Sequence, residues 1–265
     1  MKKISFLLTL FSFFTLITAH EFWLNPEKFI YTRGEKINIR FYVGENFEGE
    51  NWKGNNEKIQ SLKLYYGGVS DDLSKNISEQ PGDSIEMTML DEGTNMVAFN
   101  STNSFIEIDA EKFNEYLEED GLGNAINYRN QNHENDSAGR ELYQRCAKTL
   151  IQVGNVKDKT FSVPTGMPLD IIPLSNPYSL NNNDSVSVKI FFRNSPLNNV
   201  LVKIWHRENN KTEKTELVSN ENGEIRFPVS VAGNWMISIV KMERLEKDPK
   251  AQWQSYWGNL TWGYE

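Results

Sequence analysis

Residues 36–43 read KINIRFYV. Ile37, Ile39, Phe41 and Val43 alternate with polar Asn38, Arg40 and Tyr42. That two-residue period puts an apolar row on one side of an extended chain and a polar row on the other, as in a half-buried strand. The YTRGE stretch before it, residues 31–35, reads as a turn. The same pattern returns downstream in Leu62, Leu64 and Tyr66, closed by Gly67-Gly68, and again in Ile85, Met87 and Met89. Glu92-Gly93 then turns the chain into Met96–Phe99. Short alternating segments joined by Gly, Asn and Asp turns predict a β-sandwich. The GENFEGENWKGNN stretch between them is a loop, and its aromatics Phe47 and Trp52 are expected to fold back on the domain.

One helical insertion interrupts the strands. Asp109 is a suitable N-cap for AEKFNEYLEED, Phe113 and Leu117 lie four apart on one face, and Gly121 supplies the stop. Residues 124–139 are rich in Asn and carry His133, and they read as an exposed loop with a solvated histidine. The following ELYQRCAKTLIQVG reads as a strand holding Cys146 as a buried, inert thiol. A polar linker at residues 154–159 marks the expected domain boundary. Beyond it, SVSVKIFF, LVKIWHR, GEIRF, NWMISIVKM and WQSYWGNLTWGYE are strand-like without a helix between them. The expected fold is therefore mainly β. Two consecutive antiparallel β-sandwich units occupy residues 20–158 and 159–265, with one short helix inserted in the first.

The N-terminus reads as an export signal over residues 1–19. Lys2 and Lys3 precede an apolar run at residues 4–17, and Ile17-Thr18-Ala19 offers a cleavage site. The run is shorter than the roughly 20 residues that a membrane-spanning helix needs. A periplasmic or secreted protein is expected. Cleavage after Ala19 makes His20 the first residue, with an α-amino group and an imidazole on one residue. Two such nitrogens chelate nickel, cobalt or copper, whereas calcium and magnesium take oxygen.

Net charge is −8, becoming −10 on cleavage because Lys2 and Lys3 leave and no acid does. An acidic chain of this kind is unsuited to nucleic acid or anionic membranes. One cysteine excludes an intramolecular disulfide, and no paired-Cys, HExxH, GxSxG or glycine-rich phosphate pattern occurs. The three histidines are His20, His133 and His206. His206, in KIWHREN, shares a strand face with Ile204, with Trp205 opposite. It reads either as a structural histidine or as the third nitrogen of a site headed by His20, which Glu21 or another carboxylate would complete.

The start HEFWLNP, the FNEYLEEDGL and RELYQRCAKTLIQVG segments, and the run from KIWHREN through NGEIRFPVSVAGNWMISIVKM to WQSYWGNLTWGYE resemble the NikK-like periplasmic family of unknown function. Members of that family occur beside nickel and cobalt uptake transporters. PLNNVLVKIW with NGEIRFPV also resembles transthyretin-like and carboxypeptidase-regulatory β-sandwiches. The resemblance implies an exported, two-part β-rich protein that helps present or bind a transition metal, with His20 as the leading ligand and an inner-membrane metal transporter as partner. With His206 as the other candidate metal ligand read from the strand, a non-enzymatic metal-binding role is expected. Family members often carry a histidine where this chain has Lys241. Two other readings compete. One is a copper redox enzyme with an N-terminal histidine brace, acting on polysaccharide across an aromatic surface from Trp52, Trp253 and Trp257. The other is a non-catalytic interaction module of the cell envelope.

Overall fold

The computed structural model describes residues 20–78 and 84–264, and the expected signal segment lies outside them. In chain order the first strands are β1 (Glu21–Pro26), β2 (Ile30–Tyr31), β3 (Lys36–Glu45), β4 (Glu48–Asn51) and β5 (Ile59–Tyr66). Next come β6 (Val69–Asp72), β7 (Ser84–Thr88), β8 (Gly93–Ser101) and β9 (Ser104–Ile108), then helices α1 (Ala110–Glu119) and α2 (Gly123–Gln131). β10 (Gly139–Val153), β11 (Leu169–Pro173), β12 (Ser185–Phe192), β13 (Ser195–Pro196) and β14 (Leu201–Glu208) follow. β15 (Lys211–Val218), β16 (Glu224–Pro228), β17 (Asn234–Arg244) and β18 (Trp253–Gly263) complete the chain.

These strands form three sheets, so the chain is mainly β as expected. A ten-stranded sheet runs β15-β14-β17-β18-β10-β8-β5-β6, with β2 and β9 also paired to β10. One small sheet joins β1, β3, β4 and β7, and another joins β11, β12, β13 and β16. The small sheets cover opposite faces of the large one. On β8, Val97 and Phe99 pack with Ile39 and Phe41 of the first small sheet. Their neighbours Met96 and Ala98 pack with Ile171, Val188 and Ile190 of the second. β10 divides in the same way, Ala147 and Ile151 to one face and Cys146 and Leu150 to the other. Because both faces are covered, all nine residues of β8 are buried.

Pairing in the centre differs from the antiparallel pattern expected. β10 and β18 run parallel, from Glu141↔Trp253 to Thr149↔Thr261. A parallel pair needs a long crossover, and here the second small sheet together with β14–β17 supplies it. The large sheet thus takes strands from both sides of the expected boundary at residues 158–159.

α1 lies where the sequence places it. Phe113 and Leu117 are fully buried against Val240, Met242 and Trp253, each contributing about 1.5–3 kcal/mol by burial. Asp109 occupies the N-cap position, although its side chain makes no capping bond. The Asn-rich segment expected to be a loop instead forms α2 through Gln131. Tertiary contacts explain it. Arg129 is buried over the Phe113 ring and donates hydrogen bonds to Asn114 Oδ1 (3.0 Å) and the Ser137 carbonyl (2.8 Å). His133 follows the helix at positive φ, exposed as expected.

Candidate functional site

β1 lies against the face of the large sheet that carries the first small sheet and the helices. Its carbonyl at Leu24 accepts from Thr261 Oγ1 on β18 at 2.9 Å. Trp23, fully buried, packs with Trp205 on β14 and Met236 on β17. His20 heads this strand and is exposed. Glu45 on β3 lies one residue beyond Glu21↔Gly44, the terminal pair of the antiparallel β1–β3 ladder. His20 lines an open cleft with Glu45, Glu48, Glu50 and Trp52. The tight β3–β4 hairpin brings the glutamates there, with Gly44 opposite Gly49, where a Cβ on Gly44 would strike the Glu48 carbonyl. Arg207 reaches the same hairpin, 3.3 Å from Glu48 Oε1.

Glu21, the next residue, turns into the protein and is buried. Burial raises its carboxyl to about 7, against the opposing pull of the Lys203 ammonium. Lys203 itself lies 2.7 Å from Asp120 Oδ1 at the end of α1, and both are buried. Farther along the same face, buried Glu141 accepts hydrogen bonds from Ser255 Oγ and, at 3.4 Å, from Tyr116. Desolvation raises Glu141 to about 7.

His206 is placed elsewhere. It shares the face of Ile204, with Trp205 on the other side, as the alternation predicts. Its ring stacks on Trp235 at 4.1 Å and 15°, and its Nε2–H donates to the Ala232 carbonyl at 3.0 Å. It lines a separate cleft with Glu208, Asn209, Lys211 and Glu213. The large sheet therefore stands between His20 and His206, and the fold does not bring them together. Lys241 is also remote from His20, with its ammonium 6.0 Å above the Phe192 ring. The aromatic surface expected for a polysaccharide-active enzyme is not formed, because Trp52 and Trp253 are buried at 6% and 2% exposure. Trp52 and Phe47 have folded back, the first against Phe22, Phe41 and Phe99, the second against Trp23.

Among the described residues no three His, Cys, Asp or Glu side chains converge closely enough to hold a metal on their own. The cleft glutamates were missed by sequence reasoning, which took residues 44–58 only as a loop. Their signal was present in GENFEGE, where three acids sit within six residues ahead of a strand partner.

Residues 17–243 match the family described as a domain of unknown function, DUF4198. The chain belongs to that family. No curated protein matches this DUF4198 chain. Among solved structures it is similar to Salmonella alpha-2-macroglobulin reacted with methylamine, at 12% identity and a TM-score of 0.21, over 92% of this chain and 15% of that one. It is also similar to three N-terminal domains of the bacteriophage RB49 highly immunogenic outer capsid protein, at 8% identity and a TM-score of 0.18, over 91% and 59%. The chain spans less than two thirds of either structure's length. No described helix of this DUF4198 chain is long and apolar enough to cross a membrane.

Proposed function

We propose that this protein is an exported transition-metal-binding protein, auxiliary to nickel or cobalt uptake, that holds its ion through His20 as the first residue of the mature chain. The observation that carries this reading is the position of His20 at the head of β1, in one cleft with Glu45, Glu48 and Glu50. An imidazole and an α-amine from one residue form a chelate, and carboxylate oxygens from the hairpin fill further positions. This donor set suits a divalent ion of borderline softness. It also explains why the side chains alone make no cage, because one nitrogen comes from the backbone and exists only after cleavage. His206 serves Trp235 and the Ala232 carbonyl, so the ligands beyond His20 are the hairpin carboxylates. The similarity of the HEFWLNP start to the NikK-like proteins supports nickel or cobalt as the ion and an inner-membrane transporter as the recipient.

The test uses two forms of the chain, one beginning at His20 and one with an alanine ahead of it. The extra residue turns the amine into an amide and leaves the imidazole. Titration with nickel chloride at pH 7.5 by calorimetry is expected to give one site in the first form. The second form should bind more than ~10-fold more weakly, ~1.4 kcal/mol being the cost of each factor of ten. Equal binding by the two forms, or none by either, overturns the reading.

A further inference from the structure

Among the described residues the ten-stranded sheet ends in two strands that pair on one side only, β6 and β15. β6 is short, exposed throughout, and carries adjacent Asp71 and Asp72, so a second copy laid along it would meet like charge. β15 runs from Lys211 to Val218 and is exposed along most of its length. It folds back on β14 through Asn209 and Asn210, both at positive φ (50° and 60°), the two-residue turn that makes Glu208↔Lys211 a hydrogen-bonded pair. Alternation then turns the backbone of Lys211, Glu213, Thr215 and Leu217 towards β14. The Ser219 N–H, next in that series, donates to the Val200 carbonyl at 3.0 Å, in keeping with this phase. The N–H and C=O groups of Thr212, Lys214, Glu216 and Val218 therefore face outward, where no other described strand takes them up.

A free edge is a template for another strand, and lysines along it normally keep copies apart. On β15 the charges are spaced so that one register does the opposite. Two copies related by a two-fold axis normal to the sheet pair antiparallel, with one residue opposite itself. Centring on Glu213, Lys214 or Glu216 sets a charge against its own copy, and registers centred nearer either end overlap little of the strand. Centring on Thr215 sets Lys214 opposite Glu216 of the second copy, and Glu216 opposite its Lys214. The same register sets Val218, 59% exposed, opposite Thr212 and pairs outward backbone only with outward backbone. Lys214 and Glu216 already hold each other at 2.9 Å, with the ammonium 5.4 Å above the Trp205 ring, so both charges are set on one face before a second copy arrives.

We propose that β15 is the contact through which two copies of this chain associate, antiparallel and centred on Thr215, so that two ten-stranded sheets become one continuous sheet. Backbone hydrogen bonds supply the attraction, and the Lys214–Glu216 pairs that cross between copies fix the register. A contact one strand long falls at the small end of specific interfaces, under about 1,200 Å², so the dimer is weak and concentration-dependent. The contact stands apart from the metal reading, since it uses neither His20 nor the hairpin glutamates.

Sedimentation velocity of the chain beginning at His20, with EDTA present to exclude bridging metal, is expected to pass from monomer to dimer between roughly 10 and 500 µM. Lys214→Glu alone and Glu216→Lys alone each set like charges opposite one another and should weaken the dimer at least ~10-fold. Mixing these two variants restores both crossing pairs, so the mixture should associate as the wild type does. Glu216→Pro removes an outward N–H without touching the β14 ladder and should stay monomeric. Circular dichroism checks that each variant keeps its strands, and if the proline variant does not, the two charge variants and their mixture decide. A monomer at every concentration, a dimer that survives in folded Glu216→Pro, or a mixture no more associated than its separate components overturns the proposal.

Discussion

Lys203 on β14 and Asp120 at the end of α1 form a buried ion pair of 2.7 Å, joining a strand of the long crossover to the helix that precedes it. The pair anchors α1 electrostatically as Phe113 and Leu117 anchor it by burial. Lys203→Met leaves the Asp120 and Glu21 carboxylates buried without their cation, which is expected to cost about 3–5 kcal/mol. Replacing both partners, Lys203→Met with Asp120→Leu, removes the unpaired charge and should recover a large part of that loss. Urea unfolding of the wild type, the single variant and the double variant measures both. A single variant as stable as the wild type would show that the pair contributes nothing.

Glu141 gives the fold a pH dependence of definite sign. Desolvation raises its carboxyl from 4.5 to about 7 in the folded chain. Between those values the folded state holds a proton that the unfolded state has released, so stability falls as pH rises through the window. The slope is about 1.4 kcal/mol per pH unit from this one group, flattening above pH 7. Glu21, also raised to about 7 by burial, acts in the same direction. Unfolding free energies at pH 5, 6, 7 and 8 should decline across the first three points. Glu141→Gln, which still accepts from Ser255, should flatten the decline and be the more stable protein at pH 8. A wild type whose stability rises from pH 5 to pH 7 would contradict the assignment.

The strands and α1 were legible because their signals are local, as in the two-residue alternation of KINIRFYV and the four-residue spacing of Phe113 and Leu117. The parallel pairing of β10 with β18 was not, because register between strands a hundred residues apart leaves no periodic trace in either. α2 was hidden for a related reason. GNAINYRNQ has weak intrinsic helix preference, and its helix rests on the hydrogen bonds of Arg129 and the packing of Ala125, which only the folded chain supplies. At the candidate site, His20 was legible as a chemical type and Glu45, Glu48 and Glu50 as a charge run. Their placement along one cleft depends on the β3–β4 hairpin, where Gly44 pairs with Gly49.

Cys146 is 1% exposed, in the core between the large sheet and the second small sheet, and burial pushes its thiol up to about 12. The native protein should therefore react with a thiol reagent only on unfolding. Cys146→Ser should fold and lose about 1–2 kcal/mol, the cost of a hydroxyl where a weakly polar thiol packed. Its Sγ lies 3.6 Å from Asn100 Oδ1, so the serine hydroxyl keeps an acceptor and the loss stays at the low end. Rapid labelling of the folded chain would contradict the burial.

His206→Ala separates a structural histidine from a ligand. The imidazole stacks on Trp235, which in turn stacks on Trp262 at 5.9 Å and 6°, and its Nε2–H satisfies the Ala232 carbonyl. Losing a stacked ring costs about 0.5–1.5 kcal/mol and losing the hydrogen bond about the same again. His206→Phe restores the stacking and not the donor, so it should fall between the wild type and the alanine variant in urea unfolding. Neither change should move the nickel affinity of the chain beginning at His20, because β14 presents His206 on the face of the large sheet away from β1. If His206→Ala weakens nickel as much as an alanine placed ahead of His20 does, the two histidines share the ion and the large sheet does not separate them.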